Sequence, residues 1–299
     1  MLPASAMGKS GGQKSVFSYQ LKGKLLVVNN LNFINILTLK NSMNIYKVLE
    51  QSQRLRISDG QIIPLLSGCE NVNRLLVLIW SQLGDFDNLE YAWWLQRESA
   101  KLQALGITIR AIAIGDHGSG EKFCEYTGFP TESLFVDPDA KLHKELELYQ
   151  GLTWQFPLLT KGQSAFLNLM LMCAGIGSPG TLREVLRGYL GDKKAPQLID
   201  NEEVIHAKPL PPLKGSFFNL AGGKGCQRPF ELATLRLRNM GEVLSNWSTY
   251  IPNSGYLTQR GATFLFDNQG NLLYKYYDRG ILGFAENKSN PLSFILNRE

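Results

Sequence analysis

Residues 75–80 read Leu-Leu-Val-Leu-Ile-Trp, an unbroken apolar run of the kind that forms a strand buried on both faces. A short loop over 81–86 follows this run. Asp87, with Glu90 three residues later, has the pattern of a capping box and predicts the start of a helix. A second apolar run over 107–114 predicts another buried strand. This succession of strand, helix and strand is typical of a parallel βαβ unit.

The same alternation continues along the chain. A further helix is predicted to end at the Gly-Phe-Pro sequence of 128–130, followed by a strand over 134–137 and a helix over 142–148. Near the C-terminus, the apolar runs 262–266 and 272–276 flank a turn and predict a β-hairpin. We therefore predict an α/β protein with a mixed central sheet flanked by helices.

The segment 151–257 separates these two parts and differs from both. Thr181 with Glu184 predicts a second capping box at the start of a helix, and another helix is predicted over 230–244. Residues 195–230 are rich in proline and glycine, which predicts a long loop. We expect this segment to be a large insertion before the C-terminal hairpin.

Two stretches carry a resemblance to a known family. The sequence FCEYTGFP at 123–130, followed by LFVDP at 134–138, resembles the "TxFP" and "vyvDP" stretch of peroxiredoxin-like AhpC/TSA proteins. The sequence RGATFLFD at 260–267 resembles the "RGxxFxxD" strand of peroxiredoxins. The resemblance covers roughly 57–150 and 258–296, and it implies a thioredoxin-like fold with redox ancestry.

The chain departs from this family at the position that carries its chemistry. Where the related proteins have Gly-Cys-x-x-Cys, this sequence has Gly84, Asp85, Phe86, Asp87 and Asn88. The resemblance therefore implies a degenerate redox site without the usual peroxidatic cysteine. A carboxylate still suits the positive end of a helix, so the local fold can survive the loss of the thiol.

Arg260 matches the peroxiredoxin arginine that steadies the thiolate and the peroxide. Because this chain has no thiol at that position, we expect Arg260 to pair with Asp85 or Asp87 instead.

The four cysteines are far apart in sequence and form neither a CxxC nor a zinc-ligand spacing, so neither a metal nor a cofactor is expected. Cys226 lies between Lys224 and Arg228 in a glycine-rich stretch, and nearby cations lower a thiol pKa. It is the candidate for a relocated catalytic cysteine; the alternative is a chance cysteine in a surface loop. Cys124 and Cys173 lie among apolar residues and are expected in the core.

A possible anion-binding site involves His117 and Ser119 in the loop 115–120, together with Lys224 and Arg228. The alternatives are an ordinary strand-to-helix turn and a solvated basic face, because a glycine-rich loop alone is a weak signal.

Charge is unevenly distributed along the chain. Residues 1–49 contain six lysines and no acidic residue, whereas the remainder carries 25 basic and 26 acidic residues. This balance does not favour a nucleic-acid-binding protein. We expect a basic, disordered tail over 1–42 and a domain over 43–299. Between a targeting peptide and an upstream extension of the reading frame with Met43 as the true start, we favour the extension. No apolar run is long enough for a membrane span. The expected location is the cytoplasm, or the plastid stroma if the tail is a targeting peptide.

Three functional hypotheses follow from these residues. The first is a non-catalytic accessory protein that binds a partner through 151–257. The second is a thiol-dependent peroxidase that uses Cys226 and a thioredoxin-type reductant. The third is a binder of a small ligand or anion.

Overall fold

A seven-stranded mixed sheet forms the centre of the computed structural model, which describes residues 44–296. The strand order is β2-β1-β5-β4-β3-β8-β9, with β3, β4 and β5 parallel and the other pairs antiparallel. Two further strands, β6 and β7, form a separate hairpin. The strands are β1 Gln53–Arg56, β2 Ile62–Pro64, β3 Arg74–Gln82, β4 Ile107–Ile114, β5 Leu134–Val136, β6 Val204–Ile205, β7 Leu213–Lys214, β8 Ala262–Asp267 and β9 Leu272–Tyr277.

Ten α-helices and three short 3-10 segments accompany the strands within the described part of the chain. The α-helices are α1 Ile45–Gln51, α2 Phe86–Arg97, α3 Ser99–Ala104, α4 His117–Thr127, α5 Lys141–Glu145, α6 Lys161–Cys173, α7 Thr181–Leu190, α8 Glu231–Ser245, α9 Trp247–Tyr250 and α10 Ser293–Leu296. The 3-10 segments are Thr131–Ser133, Gly215–Ala221 and Ser254–Tyr256. This mixed architecture is that of a thioredoxin-like fold, as the sequence predicted.

The register of the central strand places the candidate site. Every residue of β3 after Arg74 is buried, which explains its unbroken apolar sequence. β3 pairs antiparallel with β8, so that Ile79 lies opposite Ala262. Arg260, two residues before β8, therefore lies at the end of the sheet where β3 leads into α2.

The segment 151–257 is folded against the same core as the rest of the chain. Ile199, Ile205, Phe218 and Leu235 all belong to the main cluster of buried apolar side chains. The prediction of a long loop over 195–230 is therefore wrong in part, since this stretch contains a short hairpin and a 3-10 segment. The burial of its apolar residues supplies the packing energy that orders it.

Both predicted capping boxes are corrected by the structure. Asp85, not Asp87, is the N-cap of α2, because its side chain accepts a hydrogen bond from the N–H of Asp87 at 3.2 Å. Helix α7 begins after Gly180, whose φ of +85° favours a residue without a side chain. The hydroxyl of Thr181 instead donates to the carbonyl of Ile281 at 2.9 Å.

The basic segment 1–42 and the choice between Met1 and Met43 lie outside the described residues. Over 44–296, none of the helices has the length and apolar character needed to cross a membrane.

Candidate functional site

The N-terminus of α2 is held by a short network of polar side chains. Asp85 accepts a hydrogen bond from the hydroxyl of Ser81 at 2.8 Å. The side-chain amide of Asn88 donates to that hydroxyl at 3.2 Å and to the carbonyl of Gln82 at 2.7 Å. The turn before α2 therefore holds an ordered carboxylate.

Gly84 is required by close packing at this point. A Cβ added there would lie 2.6 Å from Cδ1 of Ile251 and 2.9 Å from Cβ of Tyr250. The α9 region thus covers the turn that precedes α2.

Arg260 is fully buried and its guanidinium lies against three carboxylates. One Nη atom lies 2.5 Å from Asp85, and the other lies 3.7 Å from Asp87 and 3.9 Å from Asp278. Its Nε donates to the carbonyl of Thr258 at 3.2 Å. The pairing that we expected with Asp85 or Asp87 is therefore present, and Asp278 is a third partner that the sequence did not indicate.

The cluster carries more acidic groups than basic ones. Burial, followed by the charges of Asp85 and Asp278, raises the pKa of Asp87 well above its ordinary value. Burial raises the pKa of Asp278 to about 6, although the Arg260 charge and the N–H of Gly280 act in the opposite direction. Asp87 and Asp278 therefore keep their protons to a higher pH than ordinary aspartates do.

Backbone donors hold Asp87 in this cluster. Its two oxygens accept hydrogen bonds from the N–H groups of Leu282 and Gly283, at 2.8 and 3.0 Å. The loop after β9 is therefore tied directly to the first turn of α2.

All four cysteines are free thiols. Cys124 is buried as expected, and burial raises its pKa to about 12. Cys173 is only half-buried, which departs from the expected core position. Burial, followed by the charges of Asp85 and Asp87, raises the pKa of Cys173 to about 11, so this thiol is protonated at neutral pH.

Cys226 lies away from α2 in sequence, in the glycine-rich stretch before α8, and is half-buried. Its neighbour Arg228 is 1% exposed and forms an ion pair with Glu231 at 2.7 Å. Arg228 also donates to Asn219 at 2.7 Å. The expectation of a solvated basic cluster is therefore wrong for Arg228, because its charge is neutralised inside the fold; Lys224 is exposed.

The loop 115–120 forms a capped helix start. Ser119 is buried, and its N–H and hydroxyl form a capping box with Asp116, with hydrogen bonds of 2.8 and 2.7 Å. His117 lies 3.0 Å from the carbonyl of Ile57 through Nε2 and 3.4 Å from Glu121 through Nδ1. These contacts favour the ordinary turn over an anion site at Ser119, whereas anion binding by His117 and Lys224 stays a prediction.

A cavity of about 350 Å³ adjoins the carboxylate cluster and was not found by sequence reasoning. Phe86, the first residue of α2, lines it, as does Leu282, whose N–H binds Asp87. Its walls come from α2, α6, α7, α8, the loop after β9, the β6–β7 connection and the residue before α8, segments with no shared sequence signal. The lining residues are Phe86, Cys173, Thr181, Val185, Gly188, Tyr189, Leu210, Phe230, Ala233, Thr234, Arg236, Leu237, Met240, Ile281 and Leu282.

Metal binding receives no support from the described part of the chain, where no group of three or more histidine, cysteine, aspartate or glutamate side chains is placed to hold an ion.

The sequence profile of a family described as AhpC/TSA antioxidant enzyme matches residues 94–280. The match begins within α2, beyond Asp85, and runs through 151–257. No curated protein matches the chain.

Proposed function

This chain belongs to the AhpC/TSA antioxidant-enzyme family, and we propose that within it the protein acts by binding, as an accessory protein of redox ancestry rather than a thiol peroxidase. One observation carries the proposal. In the sequence resemblance, Asp85 takes the place of the first cysteine of Gly-Cys-x-x-Cys, and its carboxylate lies 2.5 Å from the buried guanidinium of Arg260.

Peroxide reduction by a thiol requires a thiolate that attacks one peroxide oxygen and becomes a sulfenic acid. A carboxylate does not undergo this step. Because Arg260 is neutralised by Asp85, Asp87 and Asp278, the cation that would stabilise a thiolate and a peroxide is occupied.

The remaining thiols are poorly suited to take over this role. Burial raises the pKa of Cys173 to about 11, so its thiol is protonated at pH 7 and is a poor nucleophile. Cys226 has partial exposure in its favour, but the charge of Arg228 beside it is neutralised by Glu231. A peroxidase based on Cys226 and a thioredoxin-type reductant is the alternative.

The surface of α7 supports a protein partner for 151–257. Leu182, Leu186 and Leu190 are 55%, 57% and 72% exposed and recur every four residues. This spacing places all three on one face of the helix. A solvent-facing apolar stripe of this kind is typical of a contact surface.

The four free thiols suit a reducing compartment, and we propose the cytoplasm or the plastid stroma.

The test is peroxide consumption by the purified protein with dithiothreitol or thioredoxin as the reductant. We expect no turnover above the reagent blank for the wild type, Cys173→Ser and Cys226→Ser. Turnover that Cys226→Ser abolishes would refute the proposal and establish the alternative.

The partner surface is tested by co-purification with Leu186→Glu. A partner retained by the wild type should be lost from this variant. The matched control is Leu220→Glu, which places the same charge at a leucine that is 84% exposed in a different segment. Equal loss with both variants would contradict a specific role for the α7 stripe.

A further inference from the structure

We propose that the cavity between α6, α7 and α8 binds a small, uncharged, apolar molecule. This inference rests on the proposed binding function and names a ligand class for it. The cavity adjoins the first turn of α2, so a ligand there would lie beside the position of the lost cysteine.

The size of the cavity suits a small molecule. Its volume of about 350 Å³ is within the range of small-molecule sites in proteins. Most of its wall is apolar, with side chains that include Val185, Tyr189, Phe230, Leu237 and Met240. A site of this composition gains affinity mainly from the removal of apolar surface from water.

Three polar side chains of the wall are already engaged. The hydroxyl of Thr181 donates to the carbonyl of Ile281 at 2.9 Å, and the hydroxyl of Thr234 donates to the carbonyl of Phe230 at 2.8 Å. Arg236 lies 2.7 Å from a carboxylate oxygen of Glu90. A ligand is therefore selected by its shape and apolar character more than by hydrogen bonding.

The charged side chains around the wall are paired with one another. Arg236 also pairs with Glu184 at 2.7 Å, and Glu184 pairs with Arg187 at 2.7 Å. With Glu90, and with Asp192 at 3.6 Å from Arg187, this network contains two cations and three anions, each beside an opposite charge. Burial raises the pKa of Glu184, but the hydrogen bonds and charges of Arg187 and Arg236 outweigh it and hold that pKa below its ordinary value. A charged ligand would have no free counter-ion here, which favours an uncharged one.

The backbone at two wall residues is strained. Phe230 has a φ of +65° and Leu282 a φ of +59°, in the left-handed region that side chains disfavour. Both side chains line the cavity. Strain of this kind is found preferentially at ligand sites. At the rim, Phe230 and Tyr189 pack edge to face with ring centroids 6.1 Å apart, and both rings are about half exposed.

The cavity is distinct from the proposed partner surface. Val185 and Gly188 of α7 line the cavity, whereas Leu182, Leu186 and Leu190 do not. One helix therefore presents one set of residues to the cavity and another to solvent.

The experiment compares two fluorescent probes with the same ring system on the full chain. N-phenyl-1-naphthylamine is uncharged, whereas 8-anilino-1-naphthalenesulfonate carries a negative charge. We expect saturable, one-to-one binding of the uncharged probe, about tenfold tighter than binding of the sulfonate. The variants Ala233→Phe and Val185→Phe place a ring in the cavity and should each weaken uncharged-probe binding by about tenfold or more. Thermal unfolding of each variant confirms that it is folded.

The matched control is Leu244→Phe, which adds a ring to α8 at a position 58% exposed and outside the cavity. It should leave the affinity unchanged. Non-saturable binding, equal affinity for the two probes, or wild-type affinity in both filled variants would overturn the inference. Dimerisation that the filled variants abolish would overturn it too, because a second copy would then occupy the cavity. Peroxide turnover measured on the same samples tests the proposed function separately, so either proposal can fail without the other.

Discussion

Replacement of Arg260 by methionine should destabilise the fold strongly and in a pH-dependent way. The side chain is fully buried against Asp85, Asp87 and Asp278, so Arg260→Met leaves carboxylates in the core without a counter-ion. The carbonyl of Thr258 also loses a donor. Removal of one partner from a buried ion pair typically costs about 3–5 kcal/mol. For a chain of this size, that loss lowers the unfolding midpoint by about 6–20 °C.

The pH dependence follows from the direction of the pKa shifts. Burial holds the pKa of Asp278 at about 6 and that of Asp87 well above its ordinary value, whereas the Arg260 charge lowers both. A carboxyl whose pKa is raised in the folded state binds protons that the unfolded state releases, so stability falls as the pH rises through that interval. Loss of Arg260 raises both pKa values further. The deficit of the variant should therefore be larger at pH 7.5 than at pH 5.

The assay is thermal unfolding of the wild type and Arg260→Met at pH 7.5 and pH 5, followed by circular dichroism. Arg56→Met is the matched control, because Arg56 forms an exposed ion pair with Asp59 and should leave the midpoint nearly unchanged. Arg260→Lys keeps the charge and should show a smaller loss than Arg260→Met. A loss for Arg260→Met below about 1 kcal/mol, or an equal loss at both pH values, would refute a buried counter-ion role for Arg260.

Two further substitutions test the same cluster. Asp278→Asn keeps an acceptor for Gly280 and removes one excess negative charge, so it should raise the free energy of unfolding by about 1–3 kcal/mol at pH 8, with the gain disappearing toward pH 4. Urea denaturation at the two pH values measures this, and destabilisation at pH 8 would contradict the excess of negative charge. Asp85→Cys should place a thiol between Arg260 and the start of α2, with a pKa below the usual value of about 8.5. Iodoacetamide alkylation across pH, with Asp85→Ser as the control, measures this, and a rate profile like that of free cysteine would show that Arg260 does not activate the position.

Much of the sheet could be predicted because its signals are local. The apolar run over 107–114 predicted a strand with the observed bounds. The two hairpin strands, predicted over 262–266 and 272–276, each extend one residue further at the C-terminal end in the structure. In a strand that is buried on both faces, every position must be apolar, so burial is visible in the sequence itself. The N-cap of α2 was misplaced by two residues, because Asp85 and Asp87 are both suitable capping residues.

Composition and the apolar runs were sufficient to predict the α/β class. The stretches at 123–138 and 260–267 were sufficient to indicate the family. Both signals consist of residues that are neighbours in the chain. The carboxylate cluster, the buried Arg228 and the apolar cavity depend on neighbours in space. Asp87 and Leu282 are separated by 195 residues, and Arg236 and Glu90 by 146. Only the tertiary structure decides whether an arginine is a solvated cation or a buried counter-ion, because it brings such distant groups together. Water solvates the charge at the surface, whereas burial carries a large desolvation penalty unless an opposite charge lies beside it.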